Sequence, residues 1–302
     1  MNERTANWPE LALEDWEPTY KTLHRWSQML GKIRLGHTPR LNHWWNVTLY
    51  VTPRGLTTST MDHGARRFSL ELDFVSHRLR ARVSDGTTGE LPLEPMSVAQ
   101  FYERLMETLE ALDLPVSIWP VPVEVVDPVP FPEDTENASY DPDAVERLHR
   151  VLLQVDRVFQ EFRGRFLGKA SPSHFFWGAF DHAVTRFSGR ENPEPPDDPV
   201  MSEGYSHELI SHGWWPGGDW PLGGRVEQPM FYAYAVPEPD GFRQAELPGG
   251  GRYDSTLGEY LLEYEAVRTA ADPDALLLDF MERTYRAGAD AAGWDRKALE
   301  IE

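Results

Sequence analysis

Three histidines stand among residue types suited to metal or proton chemistry. His43 opens His43-Trp44-Trp45, His174 opens His174-Phe175-Phe176, and His207 is followed by Glu208. Imidazole is the commonest metal ligand and the side chain that exchanges protons near neutral pH. His174, His207 and Glu208 are therefore the expected catalytic groups. His43, His174 and His207 are the expected ligands if a divalent transition metal is bound. Taken singly, each histidine suits a strand end and aromatic packing better, so the trio matters only if the fold gathers it. His207-Glu208-Leu209-Ile210-Ser211-His212 imitates the helical zinc motif, but its second histidine stands five residues on, about 140° round a helix. On a strand that offset puts the two on opposite faces. Glu208 likewise points away from His207 unless a bulge intervenes.

A second set is basic: Lys32, Arg34, Arg186 and Arg190 could receive a carboxylate or phosphate. Pairing with the chain's surplus acids is the plainer use of them. Trp177 and Tyr232 could wall a pocket for an aromatic or aliphatic ligand, or simply fill core. Glu263 and Glu265 would share one face of a strand. No Gly-x-Ser-x-Gly elbow, phosphate-binding loop or dinucleotide turn occurs. The absence of cysteine excludes disulfides, thiolate zinc sites and a cysteine nucleophile.

The elements that would position these residues are legible from periodicity. Residues 15–31 read as a helix stopped by Gly31. Residues 43–52 alternate like a strand, as do 68–74 and 77–83, the last two forming a hairpin with Glu71 and Asp73 set against Arg78, Arg80 and Arg82. Ser97 and Gln100 make a capping box for a helix to residue 112. Residues 115–126 read as an edge strand because of Pro120 and Pro122. The acidic, Pro-rich residues 127–141 read as a solvated linker. Asp141-Pro142 starts a helix to residue 163, and strands follow over 171–190, 205–211 and 230–236. Residues 259–267 suit strand or helix, and Asp272-Pro273 caps a last helix to residue 289. Helices bracketing runs of strands predict an α+β fold. Two similar units, 1–126 and 142–302, would flank a cleft. An echo supports duplication: Gly31-Lys32, Pro39, His43-Trp44-Trp45 and Val51-Thr52 against Gly168-Lys169, Pro172, His174-Phe175-Phe176 and Val184-Thr185.

Gly31-Lys32-Ile33-Arg34-Leu35, His43-Trp44-Trp45-Asn46-Val47, residues 171–190, Tyr205-Ser206-His207-Glu208 and Phe231-Tyr232-Ala233-Tyr234 resemble a bacterial family of unknown function over most of the chain. The resemblance implies no activity or substrate. The family's pattern reads Phe-Asp-Leu-Ala-Val-Thr where this chain has His182 in place of leucine.

The chain has 302 residues and a net charge of −20, from 49 acids and 29 bases. Such a charge opposes nucleic-acid binding, which needs clustered Lys and Arg. No apolar run approaches the ~20 residues of a membrane span, and the N-terminus lacks a signal pattern, so a cytoplasmic location is expected. Two functions follow. One is an enzyme acting on a small organic molecule in an aromatic- and histidine-lined cleft, with or without a metal. The other is a non-catalytic binding or sensing protein for an anionic or aromatic ligand. Nothing in the pattern selects an oligomeric state.

Overall fold

A computed structural model describes residues 7–219 and 224–301. The first half begins with α1 (Glu17–His37), followed by β1 (Tyr50–Thr52), β2 (Gly55–Thr57), β3 (Met61–His63), β4 (Arg66–Asp73), β5 (Arg78–Val83), β6 (Thr88–Pro92) and α2 (Val98–Ala111). The second half runs α3 (Pro142–Gly164), β7 (His174–Phe176), β8 (Asp181–Glu191), α4 (Met201–Gly204) and β9 (His207–Trp215). It continues through the small pair β10 (Gly218–Asp219) and β11 (Arg225–Val226), then β12 (Met230–Val236), β13 (Arg252–Asp254), β14 (Glu259–Glu263), α5 (Tyr264–Arg268) and α6 (Pro273–Ala291). The α+β class is thus the observed one.

Both main sheets are antiparallel meanders, ordered β1-β2-β4-β5-β6 with β3 beside β4, and β13-β14-β12-β9-β8-β7. They meet edge to edge. Leu49 and Phe175 exchange backbone hydrogen bonds of 2.9 and 2.8 Å, joining the start of β1 to β7. Alternation puts Phe68, Leu70, Leu72, Leu79 and Ala81 on one face of the first sheet, and Phe175, Val184, Ile210, Trp214, Phe231 and Ala233 on the matching face of the second, all buried. The helices cover that face. His149 of α3 sits on Phe74, Thr108 of α2 lies at Gly89, and Phe159 and Phe162 of α3 pack on His182 and His212. One apolar core runs from Trp8 to Trp294 through both halves.

Several expectations are corrected. Residues 43–49 are not strand: His43 and Trp44 have positive φ (55° and 58°) in a tight turn, and pairing begins only near Leu49. Residues 115–126 form no strand. Prolines deplete the donors, and the Gln28 carboxamide instead takes both backbone groups of Val123 at 2.9 and 2.7 Å. Residues 127–141 are solvated only in part: Asp127, Glu133 and Glu136 are exposed as expected, but three of their neighbours are anchored in the core. Phe131 and Asp134 are buried, Asp134 pairs with Arg25 at 3.1 Å, and Tyr140 stacks on Trp26. The echoed motifs do not coincide in position either: Gly31-Lys32 lies inside α1, whereas Gly168-Lys169 follows α3. The capping box at Ser97, the hairpin of β4 and β5 with its Arg80–Asp73 and Arg82–Glu71 pairs, and the starts of α3 and α6 are as expected. Residues 259–267 divide into β14 and α5.

Gly31 does not stop α1; it admits a neighbour. A Cβ there would fall inside the indole of Trp177, whose Nε1 donates to the Val47 carbonyl at 2.7 Å. Helix propensity alone favours Gly31→Ala by about 1 kcal/mol. Overpacking opposes it by about 1–3 kcal/mol. We expect net destabilisation, measured as a lower urea midpoint; a raised midpoint would show that Trp177 shifts freely.

Candidate functional site

Register decides which side chains meet on the face opposite the helices. Phe176 pairs with Asp181, Thr185 with Ser211, Ser211 with Tyr234, Gly213 with Tyr232, and Tyr232 with Leu261. Directly paired residues share a face, so Asp181, Thr185, Ser211, Tyr232 and Tyr234 stand together, with Glu259 two residues from Leu261. Gly213 makes the central contact possible. Without a side chain it lets Tyr232 lie across β9, and the phenol donates to Asp181 Oδ2. Tyr234 stacks beside Tyr232 and takes a 3.3 Å hydrogen bond from Tyr205. The carboxylate of Glu124, an otherwise exposed residue, lies against Gly178 in the turn before Asp181.

This cluster is rich in carboxylates and, among the described residues, lacks a counter-ion. Asp181 is 8% exposed and its side chain is held by Tyr232; Glu259, half-buried, has neither hydrogen bond nor ion pair among the described residues. Burial pushes the Asp181 carboxyl up to about 7, against the phenol's hydrogen bond and with help from the Glu124 charge. Burial, then the charges of Asp181 and Asp254, raise Glu259 to about 8. Burial also drives the Tyr232 and Tyr234 hydroxyls upward, so both remain neutral donors.

The expected histidine trio divides. His43 and His207 do meet, ring centroids 5.6 Å apart, at the far end of the same face. Each nitrogen of His43 is occupied: Nδ1 contacts the Gly204 carbonyl at 3.0 Å and Nε2 meets Lys169 Nζ at 2.9 Å. Neither is left for a metal. His174 is fully buried among Phe176, Trp45 and Tyr50, and both its ring nitrogens are unpartnered. Burial, with the nearby His182, Arg163 and Arg34, lowers it to about 3, so it is neutral. Among the described residues no group of three or more His, Asp or Glu side chains could hold a metal ion. His212 faces away from His207, onto Phe162 and Thr284, as alternation requires.

The basic set does not converge. Arg186 is buried on the helix-covered face, 3.4 Å from the Phe162 ring centroid and bonded to the Phe162 carbonyl. Arg190 pairs with Glu208 at 2.6 Å, which removes that glutamate from His207. Arg34 donates to the Thr58 carbonyl, and Lys32 lies over Trp177. Glu263 ends β14 while Glu265 sits in α5, both exposed. Ser173, His182 and Asp156 are the residue types of a hydrolytic triad, but Ser173 and Asp156 both contact His182 Nε2, at 2.8 and 3.1 Å. A triad needs its acid on the other nitrogen. An open groove of about 980 Å³ along α2, with Met96, Tyr102 and Met106, holds none of the expected site residues.

A family model, described only as a family of unknown function, DUF5996, matches residues 8–301. The chain belongs to DUF5996. No curated protein and no solved structure matches it. Among the described residues no helix is long and apolar enough to cross a membrane. Asp181 lies in the stretch by which the chain resembled its family, yet it was not among the expected site residues, nor were Tyr205, Glu259 and Lys169; Tyr234, like Tyr232, is one of the aromatics suited to a pocket wall. An aspartate opening an apolar strand was the available signal for Asp181; the others depend on register.

The raised carboxyl has a thermodynamic consequence. In the unfolded chain Asp181 ionises near 4, in the fold near 7. The folded state therefore keeps a proton that the unfolded state loses, and stability from this group is present below about pH 4 and lost as pH rises through 7. Asp181→Asn should match the parent at about pH 3 and exceed it at pH 8 by a few kcal/mol, since each pKa unit is worth about 1.4 kcal/mol. Denaturant titrations at both pH values measure this; an unchanged or negative difference at pH 8 would contradict it.

Proposed function

We propose that this protein binds a small organic molecule on the face of its second sheet turned away from α3, and that the ligand carries a cationic nitrogen. The carrying observation is that Asp181 and Glu259 lie buried or half-buried near Tyr205, Tyr232 and Tyr234 without a basic partner among the described residues. Carboxylates kept from water without a counter-charge cost stability, and sequences retain such features where function needs them. Tyrosine faces attract ammonium groups through their quadrupoles, and a carboxylate supplies the direct ion pair. The net charge of −20 enriches cations at the surface. The basic residues once suited to an anion are engaged elsewhere in the fold, so the cationic ligand is the better-supported one.

A catalytic reading of the same groups rests on one observation. Asp181 near 7 and Glu259 near 8 can each gain or lose a proton around neutrality, the condition for general acid–base work. Such an enzyme would move a proton to or from its amine-bearing substrate, with Tyr232 orienting the Asp181 carboxyl.

Thermal unfolding with tetramethylammonium and with tert-butanol, its neutral near-isostere, tests the binding proposal. The cation should raise the melting temperature in the parent, more at pH 8 than at pH 6, and should lose that effect in Asp181→Asn. Equal shifts by the two probes, or a cation effect surviving in the variant, would overturn it.

A further inference from the structure

At the other end of the same face is a second arrangement, which does not rest on the ligand reading above. Lysine is scarce here: Lys21, Lys32, Lys169 and Lys297 are all the chain has, among 29 Lys and Arg residues. Lys169 is placed by backbone pairing along β8, the Phe187 amide donating to its carbonyl at 3.0 Å. Its ammonium lies 5.5 and 5.2 Å from the ring centroids of Trp45 and Phe187, and 2.9 Å from His43 Nε2. The Gly204 carbonyl, 3.0 Å from Nδ1, holds the His43 proton there, which leaves the Nε2 lone pair for Lys169. A nucleophile, a base in hydrogen-bond reach, and a third group orienting the base form the general pattern of an activated nucleophile. Lys169 is exposed, and among the described residues no carboxylate pairs with it. Lys21, by contrast, pairs with Glu17 at 2.9 Å.

We propose that Lys169 is a carbonyl-capturing lysine, forming an imine with a small aldehyde or ketone whose apolar part lies against Trp45 and Phe187, while His43 relays the protons. His43 Nε2 takes the proton shed by the Lys169 ammonium. The free amine's electron pair forms the N–C bond as the carbonyl π pair moves to oxygen. His43 returns its proton to that oxygen, giving a hydroxyl. It then takes one of the two protons left on nitrogen and passes it to the hydroxyl, which leaves as water as the nitrogen pair closes the C=N bond, and the last nitrogen proton goes to solvent. One carbonyl compound is consumed and one water released, with no change of oxidation state.

Butanal with cyanoborohydride at pH 7, followed by digestion and mass spectrometry, reads labelling at each lysine of the intact protein. Lys169 should label at least about tenfold faster than exposed Lys297. In His43→Gln its rate should fall to that of Lys297, while Lys297 is unchanged. Labelling of Lys169 no faster than Lys297 in the parent overturns the proposal without reference to any variant. An undiminished Lys169 rate in a folded His43→Gln protein overturns the role of His43.

Discussion

Two backbone hydrogen bonds between Leu49 and Phe175 set the plan of the molecule. They fasten the edge of one meander to the edge of the other, so each sheet protects an edge that would otherwise present unpaired donors and acceptors. Once joined, the two sheets have matching apolar faces, and α2, α3 and α6 can bury both from one side. Burying that face supplies the main favourable term of folding. The opposite face of the second sheet carries buried Asp181, Phe187, Leu209 and Ser211, and the groups with chemical potential gather there.

On that face the local rules are bent in one place. Three tyrosines and two carboxylates share it, and the side chain missing at Gly213 lets Tyr232 reach Asp181 from two strands away. Deep placement shifts both carboxyls toward neutrality, whereas, against burial, hydrogen bonds from Arg54, Ser76 and Arg80 hold the Asp73 carboxyl of the first sheet below the usual carboxylate range; Glu71 beside it pairs with Arg82. The contrast is informative because both sheets belong to a chain with acids in excess. One sheet neutralises its carboxylates with arginine; the other leaves them without a basic partner among the described residues.

How much of this could be read beforehand depended on whether the determinant was local. The Ser97–Gln100 box, the Asp141 and Asp272 caps and the alternation of Phe68 to Phe74 act over a few residues, and the structure follows them. Gly31 misled because its role is set by Trp177, far along the chain. Residues 43–47 alternate like a strand but have no partner strand beside them until Leu49, and positive φ at His43 and Trp44 turns the chain. The aromatic and acidic residues of 127–141 looked solvated because Arg25 and Trp26, which receive Asp134 and Tyr140, lie over a hundred residues earlier. For the site, alternation correctly separated His207 from His212 and from Glu208. It could not show that Lys169 fills His43 Nε2, nor that Tyr232 crosses β9, because both contacts depend on how strands are ordered.

The central claim is that Asp181, buried and without a basic partner among the described residues, ionises near neutral pH. Site-resolved carbon-13 NMR of the Asp181 carboxyl, titrated from pH 3 to 10, reads that property directly. The account predicts a midpoint near 7. A midpoint in the ordinary carboxylate range, about 4, would mean that Asp181 is well solvated or already paired, and would contradict it.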